Sequence, residues 1–345
     1  MNWRYILTGL ALIALGILIF LNWQEIVDAI RIIKDISWYI LLWLPVVQLA
    51  SYYTNARYYQ SFMETFGYKP KLRRLYELSL AVNFVNQVSP SAGITAASFL
   101  SYGLKGQVPA GKVTLIQYGR YALTTLSYAI LLAIALALIY FGGGIDKIIV
   151  RVVVILVAGL LVLGGIFWYS FSNRRLFNKV VYRLQRLIDR TSRILRRRTD
   201  GPLIGKERVK RLLDEFHAGY DLVIKERHRL GEPFIYALLG NIMELLTIYV
   251  VFIALGHLVN PGAVMIGYAI ANAVGVISII PVDLGIYEVA MVTALSATGV
   301  SVAVGLSATI IYRVVNRVLF LPIGFYFYSK YLRGAPKQKR ALLKS

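Results

Sequence analysis

Apolar residues are gathered along this chain into long stretches that contain almost no charge. Six stretches are long enough to cross a bilayer as helices, and they lie at 5–21, 38–56, 113–141, 148–171, 234–255 and 302–328. About 20 apolar residues in a helix cross the hydrocarbon core. Backbone polar groups in lipid must find their hydrogen-bond partners within the protein, which a helix provides. The pattern therefore predicts six spanning helices.

Two further apolar segments, 75–102 and 263–299, are each interrupted near the middle by helix breakers. The breaks fall at Pro90 and Gly93 and at Pro281 and Gly285. Proline ends a helix at the residue before it, and glycine allows the backbone to reverse. We interpret each segment as a re-entrant hairpin of two half-helices. Two ordinary spanning helices, kinked at proline, are the alternative.

The positive charge is concentrated in a few segments. Of the 38 Lys and Arg residues, 17 lie in 173–231, against seven acidic residues, and smaller basic groups lie in 57–74 and 330–345. Cytoplasmic loops of membrane proteins are rich in Lys and Arg. We therefore expect a multi-pass protein of the cell membrane, inner or plasma, with these segments and both termini in the cytoplasm. This topology requires each broken segment to enter and leave the membrane on one side.

The two broken segments also have matching surroundings. Arg120 follows Gly93 by 27 residues, and Arg313 follows Gly285 by 28. Together with the opposite orientation of the two units, this spacing predicts an inverted repeat, a design found in transporters. The predicted fold is an all-α polytopic membrane protein with about eight transmembrane segments. Its parts are a first span and external amphipathic segment (1–35), repeat one (36–141), a connecting span (142–171), a basic cytoplasmic loop (172–231), repeat two (232–331) and a basic cytoplasmic tail (332–345).

Six ionisable residues fall at membrane depth, where each costs several kcal/mol unless it faces the protein interior or water. They are Arg120, Arg313, Arg317, Glu244, Asp283 and Glu288. Mutual salt bridges between the repeats are one interpretation. Binding of an anionic lipid headgroup is the other, because a guanidinium grips phosphate through two hydrogen bonds. Asp283 also suits the N-cap of a half-helix.

Three amide side chains share one face of the first half-helix. Asn83, Asn86 and Gln87 follow one another at i, i+3 and i+4, positions that are neighbours on a helix surface. They are expected either to line a polar groove or to hold helices together through hydrogen bonds.

The sequence offers little for catalysis or metal binding. It contains no cysteine, and its three histidines are not at metal-ligand spacing. No nucleophile–base or acid–base arrangement stands out, so we expect no enzyme activity, metal or cofactor. We expect His217 and His228, which lie in the charged loop, to be solvated.

The basic loop contains an amphipathic pattern at 177–195, with apolar residues at helical steps and Lys or Arg on the other face. Such a helix lies on an anionic membrane surface. Nucleic-acid binding is the alternative for so basic a segment, but neither aromatic interleaving nor a known module supports it.

Several motifs resemble the lysylphosphatidylglycerol synthase transmembrane (flippase-like) family. They are P-V-D-L-G-I-Y-E-V-A (281–290), I-I-Y-R-V-V-N-R (310–317), L-P-I-G (321–324) and N-Q-V-S-P-S-A-G (86–93). The resemblance extends from about residue 41 to 331. It implies a multi-span fold associated with moving or supplying lipids, including aminoacylated phospholipids and lipid-linked sugars.

The chain departs from this family at two places. The full synthases carry a soluble aminoacyl-transfer domain, whereas only a short tail follows Tyr331, so aminoacylation by this chain alone is not expected. Relatives usually place charged residues just after the glycine of the first hairpin, where this chain has Ile94-Thr95-Ala96-Ala97.

These observations support three hypotheses about function. The first is a translocator that passes a phospholipid or polyprenyl-phosphate-linked headgroup through a polar groove between the hairpins. The second is an accessory subunit that docks a lipid-modifying or glycosyl-transferring enzyme through the basic loop. A membrane-embedded transferase is the third. Anionic membrane lipids are the expected partners in the first two, and no nucleic acid is expected.

Overall fold

A computed structural model of the protein describes residues 36–88, 93–141, 173–195, 206–277 and 286–341, with scattered positions between 150 and 172. Several predictions fall outside the described residues. They concern the first span and most of the connecting span, the break residues Pro90, Pro281 and Gly285, the proposed cap Asp283, and the side chain of Arg317.

Helices form every regular element in these ranges. In chain order they are α1 (Trp38–Leu41), α2 (Trp43–Thr65), α3 (Leu72–Val88), α4 (Ile94–Gly103), α5 (Ala110–Phe141), α6 (Arg174–Leu195), α7 (Lys206–Lys225), a 3₁₀ turn (Arg227–Leu230), α8 (Gly231–Ala254), α9 (Pro261–Ile277), α10 (Ile286–Ala297), α11 (Val302–Val314), a π-helical segment (Val315–Leu319) and α12 (Phe320–Ala341). The all-helical prediction is confirmed for these residues.

Two of the described helices are long and apolar enough to cross a membrane by length and composition. They are α5 and the segment Arg227–Ala254, which joins the 3₁₀ turn to α8. The outward face of α5 carries Leu126, Ile130, Ile134 and Leu138, all of them exposed. These residues recur every four positions and so form one apolar stripe. An exposed stripe of this kind suits a lipid environment.

The buried apolar residues form two main clusters. One joins α2, α3, α4 and the first turns of α5, with Tyr59, Leu78 and Ile116 fully buried. The other joins α8, α9, α10 and α11, with Phe252 and Met291 fully buried. Helices α2 and α8 pack against each other and connect the two clusters.

Two pairs of short helices fall on the predicted hairpins. Helix α3 contacts α4, and α9 contacts α10. At about 1.5 Å per residue, the ten residues of α4 reach about 15 Å, short of the roughly 30 Å of hydrocarbon.

Gly93 occupies the N-cap of α4 with φ of +81°, a conformation that favours glycine. A Cβ at this position would lie 2.7 Å from Cε2 of Tyr121 on α5. Position 93 therefore favours glycine for its backbone conformation, and a side chain there would also displace the Tyr121 ring.

The predicted basic loop is docked onto the first turns of α5 through α7. The Glu215 carboxylate accepts a hydrogen bond from the Gly111 N–H at 2.8 Å, which satisfies one of the free N–H groups at the start of α5. A Cβ on Gly111 would lie 2.7 Å from the backbone nitrogen of Phe216. Phe216 is fully buried in the first cluster. The two helices thus meet backbone to backbone.

Gly111→Ala should therefore loosen α7 from α5. The added methyl group overlaps backbone atoms that cannot rotate away, and overpacking of this kind costs about 1–3 kcal/mol. We expect faster tryptic cleavage within 173–230 and a lower unfolding temperature. The matched control is Gly231→Ala, where a Cβ has open space and alanine favours the helix. Equal protease resistance of the two variants would contradict the docking.

Helix α6 begins against α7. The Phe177 ring stacks on Phe216 with 4.5 Å between centroids, and Arg174 forms an ion pair with Asp221. The expectation that His217 is solvated is wrong. His217 is only 5% exposed, and its Nε2 lies 2.9 Å from Oδ1 of Asn178. Burial, together with the nearby Arg174 guanidinium, lowers the pKa of His217.

The last helical stretch contains an irregular turn. The π-helical segment Val315–Leu319 joins α11 to α12 without a break. Helix α12 then packs closely on α3, because a Cβ on Gly324 would lie 2.7 Å from the carbonyl oxygen of Leu80. The π segment therefore sits between α11 of the second cluster and a helix packed on α3.

Candidate functional site

A cavity of about 360 Å³ lies where helices of both clusters meet. We call it the central cavity. Its lining residues are Gln48, Ser51, Tyr52, Asn55 and Tyr58 from α2, Ser79, Asn83, Asn86 and Gln87 from α3, Arg120, Thr124 and Tyr128 from α5, Ala237, Gly240, Asn241 and Glu244 from α8, Tyr268 and Asn272 from α9, Tyr287 from α10, Tyr312 and Arg313 from α11, and Asn316 from the π-helical segment.

The helical repeat explains why these residues converge. On α5 the lining positions 120, 124 and 128 recur every four residues, and on α2 positions 48, 51, 52 and 55 follow steps of three and four. Residues at such steps share one face of a helix. Each of these helices therefore presents one polar stripe to the cavity.

The lining is polar almost throughout. Apart from Ala237 and Gly240, every lining residue carries a polar side chain. Polar and charged groups within a membrane protein normally face the interior or a water-filled space. The protein thus has a polar centre and, on α5, an apolar exterior.

Glu244 is held at the centre of a network of neutral donors. Its Oε1 accepts hydrogen bonds from Gln48 Nε2 at 3.0 Å and Ser51 Oγ at 2.8 Å. Its Oε2 accepts from the Tyr312 hydroxyl at 3.0 Å and from Asn316 Nδ2 at 3.2 Å. The carboxylate therefore connects α8 with α2, α11 and the π-helical segment.

Arg313 is fixed by two neighbours from α10. Its guanidinium forms an ion pair with Glu288, and its central carbon lies 4.7 Å from the centroid of the Tyr287 ring. The Arg313 and Glu288 side chains are 4% and 9% exposed. This buried pair ties α10 to α11.

Arg120 has a different environment. Its Nη1 donates to the Tyr59 hydroxyl at 3.2 Å, and its guanidinium carbon lies 5.8 Å from the centroid of that ring. The Tyr59 hydroxyl in turn donates to Oε1 of Gln117 at 2.7 Å. No carboxylate of the described residues forms an ion pair with Arg120.

The structure brings six of the predicted site residues to one cavity: Asn83, Asn86, Gln87, Arg120, Glu244 and Arg313. Asn83 donates to the Tyr52 hydroxyl at 2.6 Å. Glu288 lies beside the cavity as the partner of Arg313. The positions of Asp283 and of the Arg317 side chain are outside the described residues. Binding of a headgroup by any of these residues stays a prediction.

The sequence interpretation missed the tyrosines that make up much of the wall. They are Tyr52, Tyr58, Tyr128, Tyr268, Tyr287 and Tyr312. The spacing of Gln48, Ser51 and Asn55 within an otherwise apolar span was the available signal for a polar face on α2. Among the described residues, no group of three or more His, Asp or Glu side chains could hold a metal ion.

Relatives of this chain are membrane proteins. Two UPF0104 membrane proteins of Methanothermobacter thermautotrophicus are similar to it, one 33% identical over 113 residues and one 27% identical over 111. The matched regions span about a third of this chain and about a third of each relative. No solved structure matches the chain. The family model of the lysylphosphatidylglycerol synthase TM region matches residues 6–324, and the protein therefore belongs to this family of membrane proteins.

Proposed function

We propose that this protein translocates lipid headgroups across the membrane through the central cavity. The observation that carries the proposal is a polar cavity with charges of both signs, lined by helices of which α5 has an apolar outer face. A headgroup crossing the membrane needs such a path, because burying a charge in hydrocarbon is costly. Membership of the family supports an association with lipids.

The size of the cavity fits a headgroup rather than a whole lipid. Its 360 Å³ lies at the lower end of the roughly 300–1,000 Å³ typical of small-molecule sites. The acyl or prenyl chains would remain in the surrounding hydrocarbon, in contact with the outer faces of the helices. The substrate is then a phospholipid or a polyprenyl-phosphate-linked compound, and translocation makes or breaks no covalent bond.

The proposed mechanism uses α3–α4 and α9–α10 as two re-entrant hairpins related by inversion. Three facts support it: the helices of each pair contact each other, α4 is shorter than a spanning helix, and both pairs contribute side chains to the cavity. In this arrangement the basic segments and both termini face the cytoplasm of a cell-membrane protein.

A second candidate function is that of an accessory subunit for a lipid-modifying or glycosyl-transferring enzyme. The observation that favours it is the exposed basic surface of α6, formed by Arg175, Lys179, Arg183 and Arg186, next to the docked helix α7. This surface would contact either an enzyme or anionic lipid headgroups, by charge complementarity.

Translocation can be tested with the purified protein in liposomes. A fluorescent phosphatidylglycerol is added, and an impermeant reductant bleaches the outer leaflet. We expect the protected fraction to decrease only in liposomes that contain the protein. Thr124→Trp, which fills the cavity, should reduce the rate to that of protein-free liposomes. The matched control Ile130→Trp, on the lipid face of the same helix, should retain activity.

Two outcomes would count against a translocator. Equal rates in Thr124→Trp and Ile130→Trp would show that lipid does not pass through the cavity. Absence of translocation for every phospholipid and polyprenyl phosphate offered would favour the accessory subunit, which acts only with its enzyme.

A further inference from the structure

The two arginines of the central cavity differ in how far the protein already satisfies them. Arg313 is 4% exposed, pairs with Glu288 and lies against the Tyr287 ring. Its charge is therefore balanced by a carboxylate at contact distance. A ligand anion at Arg313 would have to displace or crowd that carboxylate, which like-charge repulsion opposes.

Arg120 is far less satisfied. A guanidinium has five N–H donors, and the described residues provide one hydrogen bond to it, from Nη1 to the Tyr59 hydroxyl. Its guanidinium also lies 5.8 Å from the centroid of the Tyr59 ring, and Arg120 lines the cavity. A partly buried cation whose donors the described residues leave largely unused is suited to bind an oxyanion.

Glu244 does not neutralise Arg120 by contact. An ionised carboxylate offers about four acceptor positions, and Gln48, Ser51, Tyr312 and Asn316 occupy four of them. The described residues form no ion pair between Glu244 and Arg120. Among the described residues, the cavity therefore contains one carboxylate satisfied by neutral donors and one cation, Arg120, with a single hydrogen bond.

The sequence gives a reason for this difference between the arginines. Glu288, the partner of Arg313, lies three residues after Gly285. Three residues after Gly93, in the unit that contains Arg120, the chain has the buried Ala96. If the two units correspond as proposed, the first lacks the carboxylate with which the second neutralises its arginine.

Tyr287 also lines the cavity. The hydroxyl of Tyr287 is buried and has no hydrogen-bond partner among the described residues, in a residue that is only 8% exposed. Buried hydroxyls are normally hydrogen-bonded. A ligand with several acceptor oxygens would satisfy this group as well as Arg120.

We propose that Arg120 is the oxyanion site of the central cavity and binds a phosphate group, while Arg313 is a fixed ion-pair partner that does not contact the ligand. Phosphate matches the planar donor pattern of arginine through paired hydrogen bonds. The assignment of this phosphate to a lipid rests on the proposed function. The assignment of a phosphate site to Arg120 does not depend on that function.

Binding can be measured on the purified protein in detergent by titration calorimetry, with dihexanoyl phosphatidylglycerol as the probe. Arg120→Gln should raise the Kd by about tenfold or more, the loss expected for a charged hydrogen-bonding partner. Arg120→Lys should raise it about threefold, because lysine keeps the charge but loses the paired geometry. Arg57→Gln is the matched control, since Arg57 also bonds to a tyrosine hydroxyl and lies beside its ring, outside the cavity. It should change the Kd by less than about twofold.

The same titrations contain the results that would overturn the site. Wild-type affinity in Arg120→Gln would do so, and so would an Arg313→Lys variant that loses as much affinity as Arg120→Lys. If Arg120→Gln does not fold, Arg120→Lys carries the test, with unfolding temperatures measured on every preparation.

Inorganic phosphate serves as the second probe. Failure of phosphate to compete with the lipid supports a lipid ligand, whereas competition at equal affinity would overturn the lipid assignment and keep the phosphate site. Arg120-dependent binding in a protein that translocates nothing would likewise keep the site and reject the translocator. If Arg120→Gln leaves translocation unaffected, the Arg120 site is rejected and the translocator proposal is kept.

Discussion

Glu288→Ala should be among the most destabilising single substitutions in this protein. It removes the carboxylate that faces the Arg313 guanidinium, and both side chains are at least nine-tenths buried. Removal of one partner from a buried ion pair costs about 3–5 kcal/mol, because the other charge stays buried without its counter-charge. We expect a correspondingly lower unfolding temperature in detergent.

Two comparisons identify the cause of this loss. Glu226→Ala breaks the ion pair with Arg229, which is 58% exposed, and should cost less than about 1 kcal/mol. The double variant Glu288→Gln/Arg313→Met removes both charges, so much of the stability lost in Glu288→Ala should return. A Glu288→Ala variant no less stable than Glu226→Ala would show that the pair does not hold α10 against α11.

Glu244→Ala should have the second large effect. Four neutral donors from α2, α11 and the π-helical segment lose their shared acceptor. A hydrogen bond to a charged group contributes about 1.5–3 kcal/mol, and cavity water would replace part of it, so we expect a loss of about 3 kcal/mol in stability. Glu244→Gln should lose less, because the amide keeps one acceptor oxygen.

The control for this prediction lies in the same cavity. Asn55 lines the cavity but makes no hydrogen bond to another described residue, so Asn55→Ala should change the unfolding temperature little. If the Glu244→Ala and Asn55→Ala variants both unfold near the wild-type temperature, the network around Glu244 contributes little to stability.

The sequence predicted the helical class and much of the membership of the cavity. Asn83, Asn86 and Gln87 were placed on one face by their spacing, and all three line the cavity. The helical period determines which side chains share a face, so this part of the site can be predicted from the local sequence. Whether that face binds a headgroup is a separate question that spacing does not answer.

The pairing of charges could not be read from the sequence. Three basic and three acidic residues at membrane depth allow many combinations, and the choice depends on which helices pack together. Arg313 proves to pair with Glu288, whereas the neighbours of Glu244 are neutral groups from α2, α11 and the π-helical segment. Such contacts across long separations are set by the tertiary arrangement.

The prediction of six spanning helices is supported for two helices of the described residues, α5 and Arg227–Ala254. Helix α2 has 23 residues, yet it is not among the two described helices that pass the test of length and apolar composition. Gln48, Ser51 and Asn55 on its cavity face lower its average hydropathy. Helices α5 and α8 also line the cavity, but each contains a long enough apolar stretch to pass.

The π-helical segment at Val315–Leu319 amounts to a one-residue insertion in an otherwise regular helix. Each residue turns an α-helix by about 100°, and a π turn accommodates one residue more than an α turn. If the same residues were wound as a regular α-helix instead, α12 would rotate by about 100° relative to α11. Asn316 and Tyr312 could then still reach Glu244, while Gly324 would turn away from Leu80. The π turn thus sets the register of α12 and, with it, the contact between α12 and α3.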